Sequence, residues 1–489
     1  MPSVDLQRVF GHFLYDPKEP MIFNSGFFLF LFLLFLIVYQ FFYNPDKKRA
    51  VYITLFSLYF LYKSSGFYFL LLIATSVIDF LAARWMARIP DIRKRRPLLV
   101  LSLVSNLGIL GYFKYTNLFI QTFNDICHSS FPLLDIFLPV GISFYTFQSL
   151  SYTLDVYWDK LEPVDSYLDF CFCVSFFPHL VAGPIIRASF IIPQVYRRIS
   201  ITREAMGRGV FLILCGLFKK AVIADFISVN FVDRVFSSPL QFSGIENLAA
   251  VYGYAVQIYC DFSGYSDIAI GLALLVGFTL PVNFDAPYQS ATITEFWRRW
   301  HISLSSWLKD YLYVPLGGNR CGKVRTYVNL MLTMLLGGLW HGAGWSFVFW
   351  GGLHGVALAL DKMLGLPQWF ARSAWRRVLG VVVTFHFVCL TWIFFRSASF
   401  EGAMAMIRQI GWGFHAEILP SLVSGYPAVF GLIGLGLLLH YLPRSAEHLL
   451  ERGVTRVGLV PQAALMAGMI WLIMQVKSSD IQPFIYFQF

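Results

Sequence analysis

Apolar runs of membrane-crossing length recur from one end of this chain to the other. They fall near 22–43, 50–62, 66–83, 98–113, 133–157, 167–186, 209–232, 247–280, 326–361, 379–395, 426–442 and 460–476. A helix needs about 20 apolar residues to cross the hydrocarbon core. Charged residues make up only 13% of the 489 positions, against ~25% in soluble proteins. The pattern predicts an all-α polytopic membrane protein. It excludes a disordered chain, a coiled coil and an ordinary soluble enzyme. Residues 1–20 are too mixed in charge to be a cleavable signal and read as an N-terminal extension. No linker divides the remainder, so 21–489 reads as one membrane domain.

The formal net charge of +10 arises from short basic clusters between apolar runs. Such clusters mark cytoplasmic loops. Lys47–Arg49, Arg93–Arg96, Arg197–Arg203, the 298–325 stretch, Arg372–Arg377 and Arg444–Arg456 are expected inside, which places both termini outside. A continuous basic face, as nucleic acid would need, is absent from the sequence. Seven cysteines, mostly in apolar runs and without a C-x-x-C pair, read as small buried hydrophobes rather than ligands or disulfides. No metal or bound cofactor is expected.

Some apolar runs are interrupted by Gly and Pro. Inside a bilayer, such breaks survive only where protein or a wet cavity satisfies the freed backbone. The 167–186 run, with basic flanks on both sides, reads as re-entrant or as a short helix pair. The 326–361 run is 36 residues long and should split near Trp340–Gly344.

That split carries the leading catalytic candidate, His341, in Leu335-Leu-Gly-Gly-Leu-Trp-His341-Gly-Ala-Gly-Trp345. An intramembrane histidine is costly and usually faces a bundle interior or water. Its titration range suits a general base. A packed, hydrogen-bonded histidine at a kink is the alternative. His301, in Phe296-Trp-Arg-Arg-Trp-His301, is the second candidate. His354 follows His341 by 13 residues, about 20 Å on a continuous helix, too far to share a reaction centre. Asp261-Phe-Ser-Gly-Tyr-Ser-Asp267 follows a long helical run. Its acids and serines could be caps at a helix end or could orient a catalytic group. The polar 281–325 stretch interleaves Arg and Lys with Trp and Tyr. It suits a membrane-interface layer, or a cytoplasmic entrance where Arg and Lys meet the phosphates of a donor. His12-x-x-x-Asp16 lies in a polar tail and carries little weight. H-E-x-x-H, Walker and G-x-S-x-G patterns do not occur.

Several of these segments together resemble the membrane-bound O-acyltransferase (MBOAT) family, in its bacterial branch, which includes the membrane subunit of alginate O-acetylation. They are Phe176-Phe-Pro-His-Leu-Val-Ala-Gly-Pro-Ile-Ile-Arg187, Asp261–Asp267, Pro281-Val-Asn-Phe-Asp-Ala-Pro-Tyr288, Phe296–His301, Leu339-Trp-His-Gly342 and the C-terminal Phe-Ile-Tyr-Phe-Gln-Phe489. The resemblance spans roughly 21–489, and the first 20 residues depart from it. It implies a bundle of about 11–13 membrane helices with re-entrant segments and a central tunnel. By position, His341 matches the family's catalytic histidine, and His301 its second polar site, often Asn. The candidate donor- and substrate-binding set is Asp261, Ser263, Asp267, Asn283, Trp297, Arg298, Arg299 and Trp340.

The implied reaction moves acetyl from a cytoplasmic thioester, acetyl-CoA or another acyl donor, to an extracytoplasmic polysaccharide across a bacterial inner membrane. His341 would act as base and His301 would orient the acyl group or the acceptor. A periplasmic SGNH-type acetyltransferase is the expected partner for the last step. Rival expectations are D-alanyl transfer to teichoic acid from a carrier protein, and a stand-alone lipid or protein acyltransferase. A transporter is the non-enzyme rival, since broken helices and midplane polar groups occur there too.

Overall fold

The computed structural model describes residues 11–44, 46–181, 183–476 and 484. The first ten residues of the extension and 485–489 of the C-terminal motif lie outside the described residues. All described secondary structure is helical. Five helical segments are long and apolar enough to cross a membrane, or six if a bent pair over Ala416–Tyr441 counts as one span. They are Lys47–Ala87, Arg96–Cys127, Gly244–Leu275, Ala374–Arg396 and Leu459–Val476. The chain is a polytopic membrane protein, organised in two compact units: one of Met1–Thr202 with Val276–Leu280, the other of Arg203–Leu275 with Pro281–Phe489.

In the first unit, α1 (Gly26–Tyr39), α2 (Lys47–Ser65), α3 (Phe69–Ala87) and α4 (Arg96–Leu110) build on aromatic contacts. Phe177 meets Phe28, Phe35, Phe56 and Phe60 with ring centroids 5.0–6.4 Å apart. The 167–186 run forms two short helices, Tyr167–Ser175 and Phe177–Leu180, which accords with the helix-pair expectation. The apolar α3 carries one fully buried carboxylate, Asp79. A charge there is expensive unless hydrogen-bonded. Ser102 and Asn106 on α4 donate to it at 2.5 and 2.9 Å, tying the two helices together.

In the second unit, α5 (Arg203–Leu217) runs into a π-helical segment, Phe218–Ala224, and both pack on the 32-residue α6 (Gly244–Leu275). Two short helices follow, α7 (Ile293–Arg299) and α8 (Ile302–Leu308), and then α9 (Lys323–His341) and α10 (Trp345–Met363). α11 is the apolar Ala374–Arg396. The expected split of the 326–361 run is observed: α9 stops at His341, Gly342 and Gly344 are extended, and α10 restarts at Trp345.

α10 folds back against α9 at backbone contact. A Cβ added at Gly351 would lie 2.2 Å from the Met334 carbonyl oxygen, and one at Gly338 2.2 Å from that of Phe347. Neither position has room for a side chain. Gly351→Val should therefore lower unfolding stability in detergent by about 1–3 kcal/mol or more, by overpacking. Gly352→Ala is the control. Its Cβ would meet only Leu335 Cδ2, at 3.5 Å, so stability should hold or rise by up to ~1 kcal/mol. Chemical unfolding followed by tryptophan fluorescence distinguishes the two.

Candidate active site

His341 is the last residue of α9 and is buried. The chain reversal wraps it in rings. Trp340 and Trp350 each lie 5.1 Å away, centroid to centroid, and Phe395 5.5 Å. His301 arrives from a separate segment, its ring centroid 6.3 Å from that of His341. The structure thus brings together the two histidines singled out in the sequence, along with Trp340, which is 6.0 Å from His301.

The backbone explains how His301 gets there. It joins α7 to α8 in the left-handed region, φ 44° and ψ 55°. That conformation is uncommon and strained for a side chain with a Cβ. The 283–285 strand of chain holds it from outside: the Ile302 amide donates to the Asn283 carbonyl, and the Asp285 amide to the Arg299 carbonyl, both at 2.9 Å.

Asn283 then fixes the imidazole. Its Oδ1 accepts from the Ser303 amide at 3.1 Å and the Ser303 hydroxyl at 2.9 Å, and lies 3.3 Å from His301 Nδ1. An amide N–H can only donate, so the Asn283 atom is the oxygen. His301 Nδ1 must then carry the hydrogen, and a neutral ring keeps its lone pair on Nε2. Asn283 was in the sequence-derived set on resemblance alone; its positioning of His301 depends on a contact 18 residues along the chain.

Asp261 and Asp267 do not sit at a helix end, as one reading of the sequence expected. α6 continues to Leu275, so both carboxylates lie mid-helix. Asp261 pairs with Lys220, which also reaches Asp225 at 2.7 Å, and Asp267 pairs with Lys219 at 2.7 Å. These acids face the π-helical segment, where an extra residue per turn is accommodated. Ser263 is buried on the same helix. Phe262 between them touches His301 edge-on at 4.7 Å. Phe484, the described residue of the C-terminal motif, packs against Phe262 and Tyr265.

A cavity of about 670 Å³ is lined by α7, α8, α9 and α10, though by neither His301 nor His341. Of the sequence-derived set, Trp297 and Arg298 line it; Arg299 does not. Arg299 instead binds Glu295 at 2.9 Å, and Arg377 binds the same carboxylate at 3.1 Å. Burial pushes the Glu295 carboxyl up, but the Ala291 amide and the two guanidiniums outweigh it and leave it below its ordinary range. Lys362 is engaged by Asn319 at 2.5 Å. Arg298 and Lys309, also lining the cavity, have no acidic partner among the described residues.

Leu330, Thr333 and Met334 line the cavity from α9. They share one helical face with Gly337 and His341 at i, i+3, i+4, i+7 and i+11. Met334 is about 10 Å of helical rise from His341. No group of His, Cys, Asp and Glu suited to a metal occurs among the described residues.

Comparison with known proteins places the whole chain in a family. The family model for membrane-bound O-acyltransferases matches residues 164–403. A probable alginate O-acetylase of Pseudomonas putida is 37% identical, over 96% of this chain and all of its own length. The chain belongs to the membrane-bound O-acyltransferase family. It falls in the bacterial branch of the alginate O-acetylases. The peptidoglycan O-acetyltransferase of Helicobacter pylori is 36% identical over 79% of each chain. The teichoic acid D-alanyltransferase of Bacillus subtilis is 27% identical over 54% of this chain and 69% of its own. Family membership supports O-acyl transfer as the general activity.

The Asn283 clamp can be tested without any substrate. Asn283→Leu removes the shared acceptor and strands buried donors, which should cost about 1–3 kcal/mol of unfolding free energy. Asn283→Asp keeps an acceptor oxygen and should cost less. Denaturant titration of purified protein in detergent measures both.

Proposed function

We propose that the chain moves acetyl groups from a cytoplasmic thioester donor across the bacterial inner membrane, for O-acetylation of an extracytoplasmic polysaccharide. The observation that carries this reading is the α9 face, which lines a cavity with uncommitted cations at one end and bears His341 beside His301 at the other. Arg298 and Lys309 suit the phosphates of a coenzyme-type thioester. Its acyl arm would follow Met334 and Gly337 to His341, in the tunnel of a bundle of about 11–13 membrane helices that includes re-entrant segments. Two curated relatives that act by O-acetylation align over most of this chain, which favours acetyl over D-alanyl; the teichoic acid relative aligns over a shorter stretch at lower identity.

The chemistry follows from the two rings. A direct N–H···N bond would put the centroids about 5 Å apart; at 6.3 Å one oxygen between them reaches both. His301 Nε2 can accept a hydrogen bond, so it would orient a hydroxyl lying between the two rings rather than donate to the acyl oxygen. His341 takes the hydroxyl proton as the oxygen attacks the thioester carbonyl. The tetrahedral intermediate collapses, the C–S bond breaks, and the thiolate recovers the proton from His341. The attacking hydroxyl belongs to the sugar itself or to a partner side chain. A periplasmic SGNH-type acetyltransferase would complete the second route. Both termini would lie outside, and the clusters at 298–325 inside.

The test is polymer-bound acetyl in a deletion strain complemented with wild type, His341→Ala or His301→Ala at matched membrane levels. His341→Ala should lower ester-linked acetate roughly 10²–10⁴-fold, and His301→Ala less. Full acetylation by His341→Ala would remove it as the base. Unchanged acetate on complementation with wild type, together with a gain in polymer-bound D-alanine, would move the D-alanyl reading to the front.

A further inference from the structure

His354 is fully buried on α10 and takes no part in the chemistry above. Its neighbours assign each of its ring nitrogens. The Trp297 indole Nε1–H donates to His354 Nδ1 at 3.3 Å. Nδ1 is therefore the unprotonated nitrogen and Nε2 carries the hydrogen. Nε2 lies 3.1 Å from Thr391 Oγ1, which donates its own hydrogen to the Val388 carbonyl at 2.8 Å. The bonds run in one direction, Trp297 to His354 to Thr391 to the α11 backbone. They pin the indole at both its angle and its depth.

The pinned indole stands between the cavity and the reaction centre. Trp297 lines the cavity. Its ring meets Trp350 edge-on at 5.7 Å, and Trp350 meets His341 edge-on at 5.1 Å. Trp350 stacks on Trp392 at 5.9 Å, and Phe395 closes the remaining side. The thioester carbon must come to His341, and the acyl tail then has to lie among these rings. A long tail can do so only by displacing an indole that is hydrogen-bonded in place.

We propose that Trp297 sets the acyl-length limit of the donor, restricting it to groups of about acetyl size, and that His354 is the positioning residue that holds it there. This rests on the thioester-transfer reading above. A single methylene misfit in an apolar pocket discriminates by roughly 10–200-fold. Acetyl should therefore exceed butyryl by at least about tenfold, and hexanoyl by more.

The probes are acetyl-, butyryl- and hexanoyl-CoA, given to permeabilised cells of the complemented deletion strain. The readout is the ratio of acyl groups released from the polymer by mild base, identified by mass spectrometry. Trp297→Ala should shift the butyryl-to-acetyl ratio upward by about tenfold or more. Trp297→Phe keeps a ring and loses the N–H, and His354→Phe removes the acceptor. Both should raise the butyryl-to-acetyl ratio, whatever the change in total transfer. His354→Gln can accept from the indole and donate to Thr391, and should restore the wild-type ratio; a merely space-filling role for His354 would make Phe the better replacement. An unchanged ratio in Trp297→Ala and Trp297→Phe, with acetyl transfer still measurable, overturns the proposal. So does equal loss of all transfer in Trp297→Phe, His354→Phe and His354→Gln. If wild type transfers none of the three groups, or His341→Ala transfers them as well as wild type does, the thioester reading itself fails.

Discussion

The backbone contact between α9 and α10 is the constraint on which the rest of the second unit's centre depends. Gly338 and Gly351 let the two helices meet at main-chain distance. That closeness turns the chain sharply after His341. It also delivers Trp350 and His354 from α10 to the same region as His341 on α9. A wider hairpin would separate the histidine from the rings that enclose it. It would also break the alignment of His354 with Thr391, since α11 packs on α10. Dispersion and burial stabilise such packing only when the surfaces interlock.

Much of this was legible in the sequence, and the failures are instructive. The break at 342–344 was visible because a run too long for one span carries glycines on both sides of a histidine. The polar 281–325 stretch declared itself by composition. The proximity of His301 to His341 did not. It depends on a left-handed residue between two seven-residue helices, held by Asn283 from a segment that reads as loop. On a continuous helix, 13 residues would carry His354 about 20 Å from His341. The chain is not continuous there, and a single ring, Trp350, touches both histidines.

The Asp261–Asp267 segment shows the opposite error. Two serines and a glycine among acids look like punctuation, so a helix end was a fair expectation. In the fold, Gly264 instead lets α6 approach the chain around Gly216, where an added Cβ would sit 2.8 Å from the Gly216 carbonyl oxygen. The acids are neutralised by Lys219 and Lys220, 48 and 41 residues upstream of Asp267 and Asp261. No local pattern announces a pairing of that range. The carboxylates brace the helix whose Phe262 packs on His301.

His341 closes α9, and a helix end has a polarity of its own. The last carbonyls of a helix lack intrahelical donors and together carry about half a negative charge. A neutral ring at that terminus gains little from this field, and a ring that takes up a proton gains more. The gain is about 0.3–1 kcal/mol, or up to ~2 where partly buried. In the base role proposed for His341, the scaffold would therefore supply part of the counter-charge for a transient imidazolium. A permanent anion there would repel the tetrahedral oxyanion; the diffuse end of a peptide dipole does so far less.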